Sequence, residues 1–170
     1  MQQPSPDYTT AYIGFGGNLN RPAETIAVAR RVLAHHEGIQ ELTFSSLYHS
    51  TPMGPADQPD YVNAVMAIAT TLQPLVLLDV LQSVENAQGR VRLGERWGPR
   101  TLDLDLLLYG ALQMHTDRLT VPHPGIAERE FVLYPLAEIA PPDLDIPGAG
   151  SLATLVQRCP RRGLRVLDDV

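Results

Sequence analysis

A change of hydrophobic period, repeated along the chain, limits what it can fold into. "YVNAVMAIATTL", residues 61–72, alternates with period two: Val62, Ala64, Met66 and Ile68 take one face, Tyr61, Asn63 and Val65 the other. "TLDLDLLLY", residues 101–109, does the same, with Leu102, Leu104, Leu106 and Leu108 opposite Asp103, Asp105 and Leu107. Period two is that of a strand. Between these runs, Pro74 opens a segment whose Leu77, Leu78, Leu81 and Val84 recur at helical spacing, with Gly89 as its stop. Upstream, "TTAYIGFG" reads as a strand stopped by Gly16 and Gly17. Asn18 or Asn20 then caps a helix that begins near Pro22, holds Glu24 in its first turn and ends before Gly38. "ELTFSSLYH" is a further strand, and residues 50–60 form a proline-rich loop too long for a tight hairpin.

The resulting order, β-α-β-β-α-β, predicts an α+β, ferredoxin-like core: an antiparallel sheet with both helices on one face. Residues after 110 predict an elaboration of extra strands and helices. It comprises a short strand pair around 112–121, a helix near 125–139, a short helix near 151–158 and a last strand at "LRVL". One domain is expected over residues 10–170, preceded by a disordered or short N-terminal extension over 1–9.

Composition removes several function classes. No apolar run is long enough to span a bilayer, and the N-terminus lacks the basic start and apolar centre of a secretory signal, so no membrane partner is expected. Cys159 is the sole cysteine, which excludes an internal disulfide and a thiolate metal cluster; it reads as an inert thiol in a protein of the cytoplasm. A net charge of −6 argues against nucleic acid as a partner. All 13 cationic residues are arginine, so a Walker-A loop and Schiff-base chemistry, which need lysine, are excluded. Arg158, Arg161, Arg162 and Arg165 read as a solvated tail, and His35 and His36 as partners of a helix C-terminus. Gly14-x-Gly16-x-x-Leu19 lacks the third glycine of a dinucleotide fingerprint and reads as a tight strand-to-helix turn.

Asp103 and Asp105 fall on one strand face about 7 Å apart. Alternation alone explains such a pair as a wet face. The same spacing also suits a hard cation held by carboxylates and substrate phosphates. Arg90, Arg92, Arg96 and Arg100 lie just upstream, where guanidinium forks could take phosphate oxygens, or could simply balance local acids in a solvated loop. Tyr61 and Asn63 share a face, offering a stacking ring and a directional amide for a flat polar heterocycle. Trp97 sits in the arginine-rich loop, a poor place for a core tryptophan and a suitable one for a lid. Gln82 and Glu85 share a helix face that could meet a nucleotide or only solvent, and His123 in "VPHPG" is a phosphate contact or a structural loop histidine.

Four segments together carry a resemblance: "AYIGFGGNL", "GPADQPDYVNA", "QGRVRLGERWGPRTLDLDLLLYG" and "RLTVPHPGIAEREFVLYPLAEIAP". They resemble the 6-hydroxymethyl-7,8-dihydropterin pyrophosphokinases of folate biosynthesis over about Ala11 to Pro141. The resemblance implies transfer of the β,γ-pyrophosphoryl group of ATP to the pterin hydroxymethyl oxygen with release of AMP, on a ferredoxin-like core, by a monomeric enzyme whose partners are small molecules. It implies two Mg²⁺ ions on Asp103 and Asp105, and triphosphate contacts from Arg90 and Arg100. Tyr61 and Phe131 would sandwich the pterin, Asn63 would bond its amide edge, and Trp97 would close over it. Gln82, Glu85, Arg92, Arg118, Thr120, His123 and Arg129 fall on the nucleotide side. The chain departs from the family where Gly17 replaces a usual serine, Leu93 a frequent lysine and Pro124 a frequent tyrosine; the last two bear on ATP affinity.

Overall fold

The computed structural model describes residues 7–18, 21–50, 60–88 and 101–167. The core elements are β1 (Thr9–Gly17), α1 (Pro22–Ala34), β2 (Ile39–Phe44), β3 (Tyr48–Ser50), β4 (Tyr61–Thr70), α2 (Pro74–Ala87) and β5 (Asp103–Tyr109). After them come β6 (Met114–His115), β7 (Thr120–Val121), α3 (Glu130–Ile139), β8 (Asp145–Ile146), β9 (Gly150–Ser151), α4 (Leu152–Arg158) and β10 (Arg165–Val166). Of the expected N-terminal extension, residues 1–6 lie outside the described residues, and β1 is under way by Thr9.

In the main sheet β4 pairs antiparallel with β1 on one side and with β2 and β3 on the other. Beyond β1 lies β5, and beyond β3 lies β10, giving the lateral order expected of a ferredoxin-like core with an added strand. The predicted strand "ELTFSSLYH" is one run along β4, interrupted at residues 45–47. Ser45 keeps the run in place: its N–H donates to the Val65 carbonyl at 2.9 Å and its Oγ accepts from the Val65 N–H at 2.9 Å.

The strand alternation sorts the core into two layers. Ile13, Phe15, Ala64, Met66, Ile68 and Leu104 pack under Ile26, Ala29 and Leu33 of α1 and Leu77 and Leu81 of α2. On the opposite face Tyr12, Val65, Ala67 and Leu107 pack against Val132, Leu133 and Leu136 of α3 and Leu152 and Leu155 of α4. The C-terminal elaboration therefore covers the second side of a sheet whose first side is already covered by both core helices.

Four local expectations are corrected. First, Gly14 and Gly16 do not form a tight turn: both lie within β1, which ends at Gly17, and each pairs with β4 and β5 simultaneously. Second, a bulge breaks the alternation of β5, since Tyr12 faces Leu108 while Ile13 faces Leu106. The extra residue sends both Leu107 and Leu108 to the α3 side, away from Leu102, Leu104 and Leu106. Tyr109 swings back toward α2, where its hydroxyl donates to the Leu72 carbonyl at 2.5 Å. Third, Arg21 rather than Asn18 or Asn20 holds the N-cap position of α1, in a left-handed conformation with φ 60°. Fourth, the C-terminal arginines are not all a solvated tail: Arg161 lies 4.9 Å from the Tyr134 ring centre and Arg162 pairs with Glu130 at 3.2 Å. The inert reading of Cys159 agrees with its burial, which pushes its thiol pKa up. At the C-cap of α1 the His35 Nδ1 lies 2.7 Å from the Arg31 carbonyl.

Glu138 fastens α3 to the β2–β3 junction. Its Oε1 accepts from the Tyr48 hydroxyl at 2.7 Å, and its Oε2 accepts from the Ser46 N–H at 2.9 Å and the Ser46 hydroxyl at 3.0 Å. Burial, then the bond to Glu138, pushes the Tyr48 pKa up to about 12. A raised pKa adds stability that is complete below the unfolded value near 10 and is lost as pH rises through the folded value. Tyr48→Phe should cost about 1 kcal/mol at neutral pH and flatten the loss of stability between about pH 10 and 12. Denaturant unfolding across that range measures both.

Candidate active site

The register of three strands builds the site floor. Asp103 pairs with Gly16, and Gly16 with Asn63; one step along, Asp105 pairs with Gly14, and Gly14 with Val65. All these positions face the α3 side of the sheet, as Val65 does. Neighbouring strands are about 4.8 Å apart, so Asp103 and Asn63 stand about 10 Å from each other. The strip between them carries no side chain. A Cβ on Gly16 would lie 3.1 Å from the Asn63 Nδ2, and one on Gly14 would lie 3.3 Å from the Leu107 Cδ2. Leu107 thus covers Gly14 and the Asn63 amide edges Gly16, with the carboxylates on the β5 bank and the amide on the β4 bank.

Asn63 is 5 % exposed and its orientation is fixed from behind. The Ser50 hydroxyl donates to Asn63 Oδ1 at 2.6 Å, which leaves the Nδ2 side toward Gly16. Tyr61, partly buried, begins β4 two residues earlier on the same face. Phe131, near the N-terminal end of α3, packs against the second core layer and lies under the Arg129 guanidinium, 5.8 Å from ring centre to Cζ.

On the other bank, β5 is the last strand of the sheet, and its outward backbone groups would be orphaned without partners. Two side elements supply them. The Leu104 N–H, between the two aspartates, donates to Glu85 Oε2 of α2 at 2.8 Å, and the Leu107 carbonyl accepts from the His123 N–H at 2.9 Å. The second bond brings the His123 ring to Asp105, with Nε2 3.9 Å from Oδ1. Gly125 N–H donates to His123 Nδ1 at 3.1 Å, so the neutral ring carries its proton on Nε2, facing the carboxylate side. Burial lowers the His123 pKa most, Asp105 raises it, and Arg129 lowers it. The ring is thus a neutral N–H donor at the carboxylate bank. Gly125 also leaves the space that the Arg129 guanidinium occupies.

The remaining expected nucleotide contacts fall into two groups. Arg118 reaches α2, donating to Asp79 Oδ1 at 2.6 Å and to Gln82 Oε1 at 3.5 Å. Thr120 sits on β7, with its hydroxyl 3.2 Å from His115 Nδ1. Arg90, Arg92, Trp97 and Arg100 lie outside the described residues. Among the described residues no group of three or more His, Cys, Asp or Glu side chains is placed to hold a metal. Mg²⁺ bound together with a nucleotide takes one or two carboxylates plus phosphate oxygens, and Asp103 and Asp105 are carboxylates that could hold it. Sequence reading missed Ser50, Gly14, Gly16 and Gly125. The signal available was two glycines two apart inside an apolar strand, which marks close approach from above.

An α+β ferredoxin-like domain with paired strand carboxylates opposite a buried amide suits a small-molecule enzyme of the phosphoryl-transfer kind. The profile of the 7,8-dihydro-6-hydroxymethylpterin-pyrophosphokinase family matches residues 12–141. The chain belongs to that family. It is 52% identical over 149 residues to the 2-amino-4-hydroxy-6-hydroxymethyldihydropteridine pyrophosphokinase of Haemophilus influenzae, covering 88% of this chain and 92% of that protein. With the enzyme of the same name from Pseudomonas aeruginosa it shares 48% over 156 residues, 92% of this chain and 95% of the other. The Plasmodium falciparum HPPK-DHPS crystal structure with pteroate superposes with a TM-score of 0.70 at 13% identity. That likeness covers 92% of this chain but 43% of the larger one, and it shows the fold. Among the described residues no helix is long and apolar enough to cross a membrane.

Glu85→Ala removes a buried acceptor from the strand that carries both aspartates and should cost about 1–3 kcal/mol. Glu85→Gln keeps a carbonyl acceptor and should retain most of that stability. Denaturant unfolding of the two variants checks the contrast.

Proposed function

We propose that the family's reaction takes place on this face of the sheet, with ATP and 6-hydroxymethyl-7,8-dihydropterin meeting near Gly16 between the β5 and β4 banks. The observation that carries this reading is the row Asp103–Gly16–Asn63 across β5, β1 and β4. It puts phosphate-side carboxylates and a heterocycle-side amide on one face, separated by about two strand spacings.

Asn63, fixed by Ser50, presents its Nδ2 to an acceptor on the pterin's amide edge. Tyr61 and Phe131 supply stacking surfaces, worth about 1 kcal/mol per aromatic contact beyond the buried area. At the other bank Asp103 and Asp105 would hold Mg²⁺ together with the triphosphate. The ion, when bound, neutralises phosphate charge and polarises the β-phosphoryl group. His123 offers an N–H donor to a phosphate oxygen without adding a buried cation. Arg129 adds positive charge beside it. The hydroxymethyl oxygen attacks Pβ in line, the Pα–O–Pβ bridge breaks, and AMP leaves. Such transfers pass through a loose transition state, so positioning and charge compensation contribute more than a strong base does. Arg90 and Arg100 complete the triphosphate side of this proposal and Trp97 its closure, together with nucleotide contacts from Gln82, Arg92, Arg118 and Thr120. Glu85, the remaining expected contact on the nucleotide side, is buried and holds β5 through the Leu104 N–H.

The test is the product. ATP, Mg²⁺ and the reduced pterin should yield AMP and the pterin diphosphate in equal amounts. Formation of ADP, or ATP turnover indifferent to the pterin, would overturn the reading. Asp103→Ala and Asp105→Ala should each lower kcat at least about a thousandfold, since several kcal/mol of charge compensation are lost. Gly16→Ala places its Cβ 3.1 Å from Asn63 Nδ2, so the amide must give way. It should lower the unfolding midpoint and raise the KM for the pterin at least about tenfold, with a smaller change in the KM for ATP.

A further inference from the structure

The C-terminal segment grips the chain that carries two of the candidate site's side chains, Arg129 and Phe131. Residues 161–164 form a tight turn, closed by the Leu164 N–H donating to the Arg161 carbonyl at 2.9 Å. Its two central residues are left-handed, Arg162 with φ 52° and Gly163 with φ 83°. A left-handed arginine is uncommon and persists where surrounding contacts specify it. The contacts here are the Arg162 Nη1 bonds to the Glu128 carbonyl at 3.3 Å and to Glu130 Oε2 at 3.2 Å. Glu130 is 8% exposed and opens α3, so its carboxylate also sits at the positive end of that helix. The two bonds bracket Arg129 and end one residue before Phe131.

The same segment is held from a second side. The Tyr134 hydroxyl, one helical turn beyond Phe131, donates to the Cys159 carbonyl at 2.7 Å, and Arg161 lies across the Tyr134 ring. The start of α3 is therefore tied to the α4–β10 connection by Arg162 ahead of Phe131 and by Tyr134 behind it.

We propose that Arg162 is a positioning residue for the substrate site: it fixes the Glu128–Phe131 segment so that the Phe131 ring and the Arg129 guanidinium are pre-arranged for the bound substrates. This rests on the reading above that Phe131 stacks on the pterin. Arg162 touches neither substrate and acts through Phe131. Pre-arrangement lowers the ordering cost of binding, so its loss falls on affinity rather than on the chemical step.

The test compares Arg162→Ala and Arg162→Lys in the full chain, and Arg162→Ala again in a Phe131→Leu background. KM for the reduced pterin and kcat are measured at saturating ATP and Mg²⁺. Arg162→Ala should raise the pterin KM about three- to tenfold while kcat stays within about twofold. Arg162→Lys, which can keep the charge on Glu130, should recover most of that change. In the Phe131→Leu background the same Arg162→Ala change should add less than about twofold, because the residue it works through is already altered. An unchanged pterin KM, a fall confined to kcat, or an equal effect in both backgrounds would overturn the proposal. Wild-type enzyme making no AMP with the pterin would overturn the functional reading itself, a result seen before any variant is compared.

Discussion

Strand β1 is hydrogen-bonded along both edges, to β4 and to β5, and this double pairing sets the relative positions of everything in the site. A strand paired on both sides cannot shift register without losing two ladders and turning every side chain to the wrong face. Gly14 and Gly16 exploit that rigidity. A side chain at either would occupy the space over the sheet, against Asn63 or Leu107. The two banks on either side of β1 are held at fixed separation by backbone bonds rather than by side-chain contacts.

The banks are held from outside in turn. Glu85 and the His123 backbone occupy the open edge of β5, while Ser50 orients Asn63. Each of these bonds pairs a buried or half-buried polar group, so the supports of the site and the satisfaction of the fold are the same hydrogen bonds. The neutral state of His123 follows the same logic. Burial outweighs the neighbouring Asp105 and holds the ring below the ordinary histidine pKa.

Alternation and helix stops made the core order legible, along with the face shared by Asp103 and Asp105, because those signals are local. The bulge at Leu107 was not legible: it answers a mismatch with β1 at Tyr12 that no single segment contains. Gly14 and Gly16 read as a turn because glycine usually ends strands, whereas here the absence of a side chain is what the strand needs. The C-terminal arginines read as a tail for a similar reason. Their partners, Glu130 and Tyr134, are about thirty residues away and were brought near by α3 and α4 packing on the second sheet face. Family resemblance supplied roles for Tyr61, Asn63 and Phe131 that their own spacing left open.

The central claim, that one cation-binding bank and one heterocycle-binding bank face each other across β1, can be tested by paramagnetic relaxation. Mn²⁺ replaces Mg²⁺ in the presence of a non-hydrolysable ATP analogue, and amide resonances are followed through the titration. Signals of Gly14, Gly16, Asp103 and Asp105 should broaden first, Asn63 later, and Ala27 and Leu42 on the α1–β2 side of the sheet last. Uniform broadening, or early loss at Ala27 and Leu42 with Gly14 and Gly16 intact, would place the ion elsewhere and contradict the account.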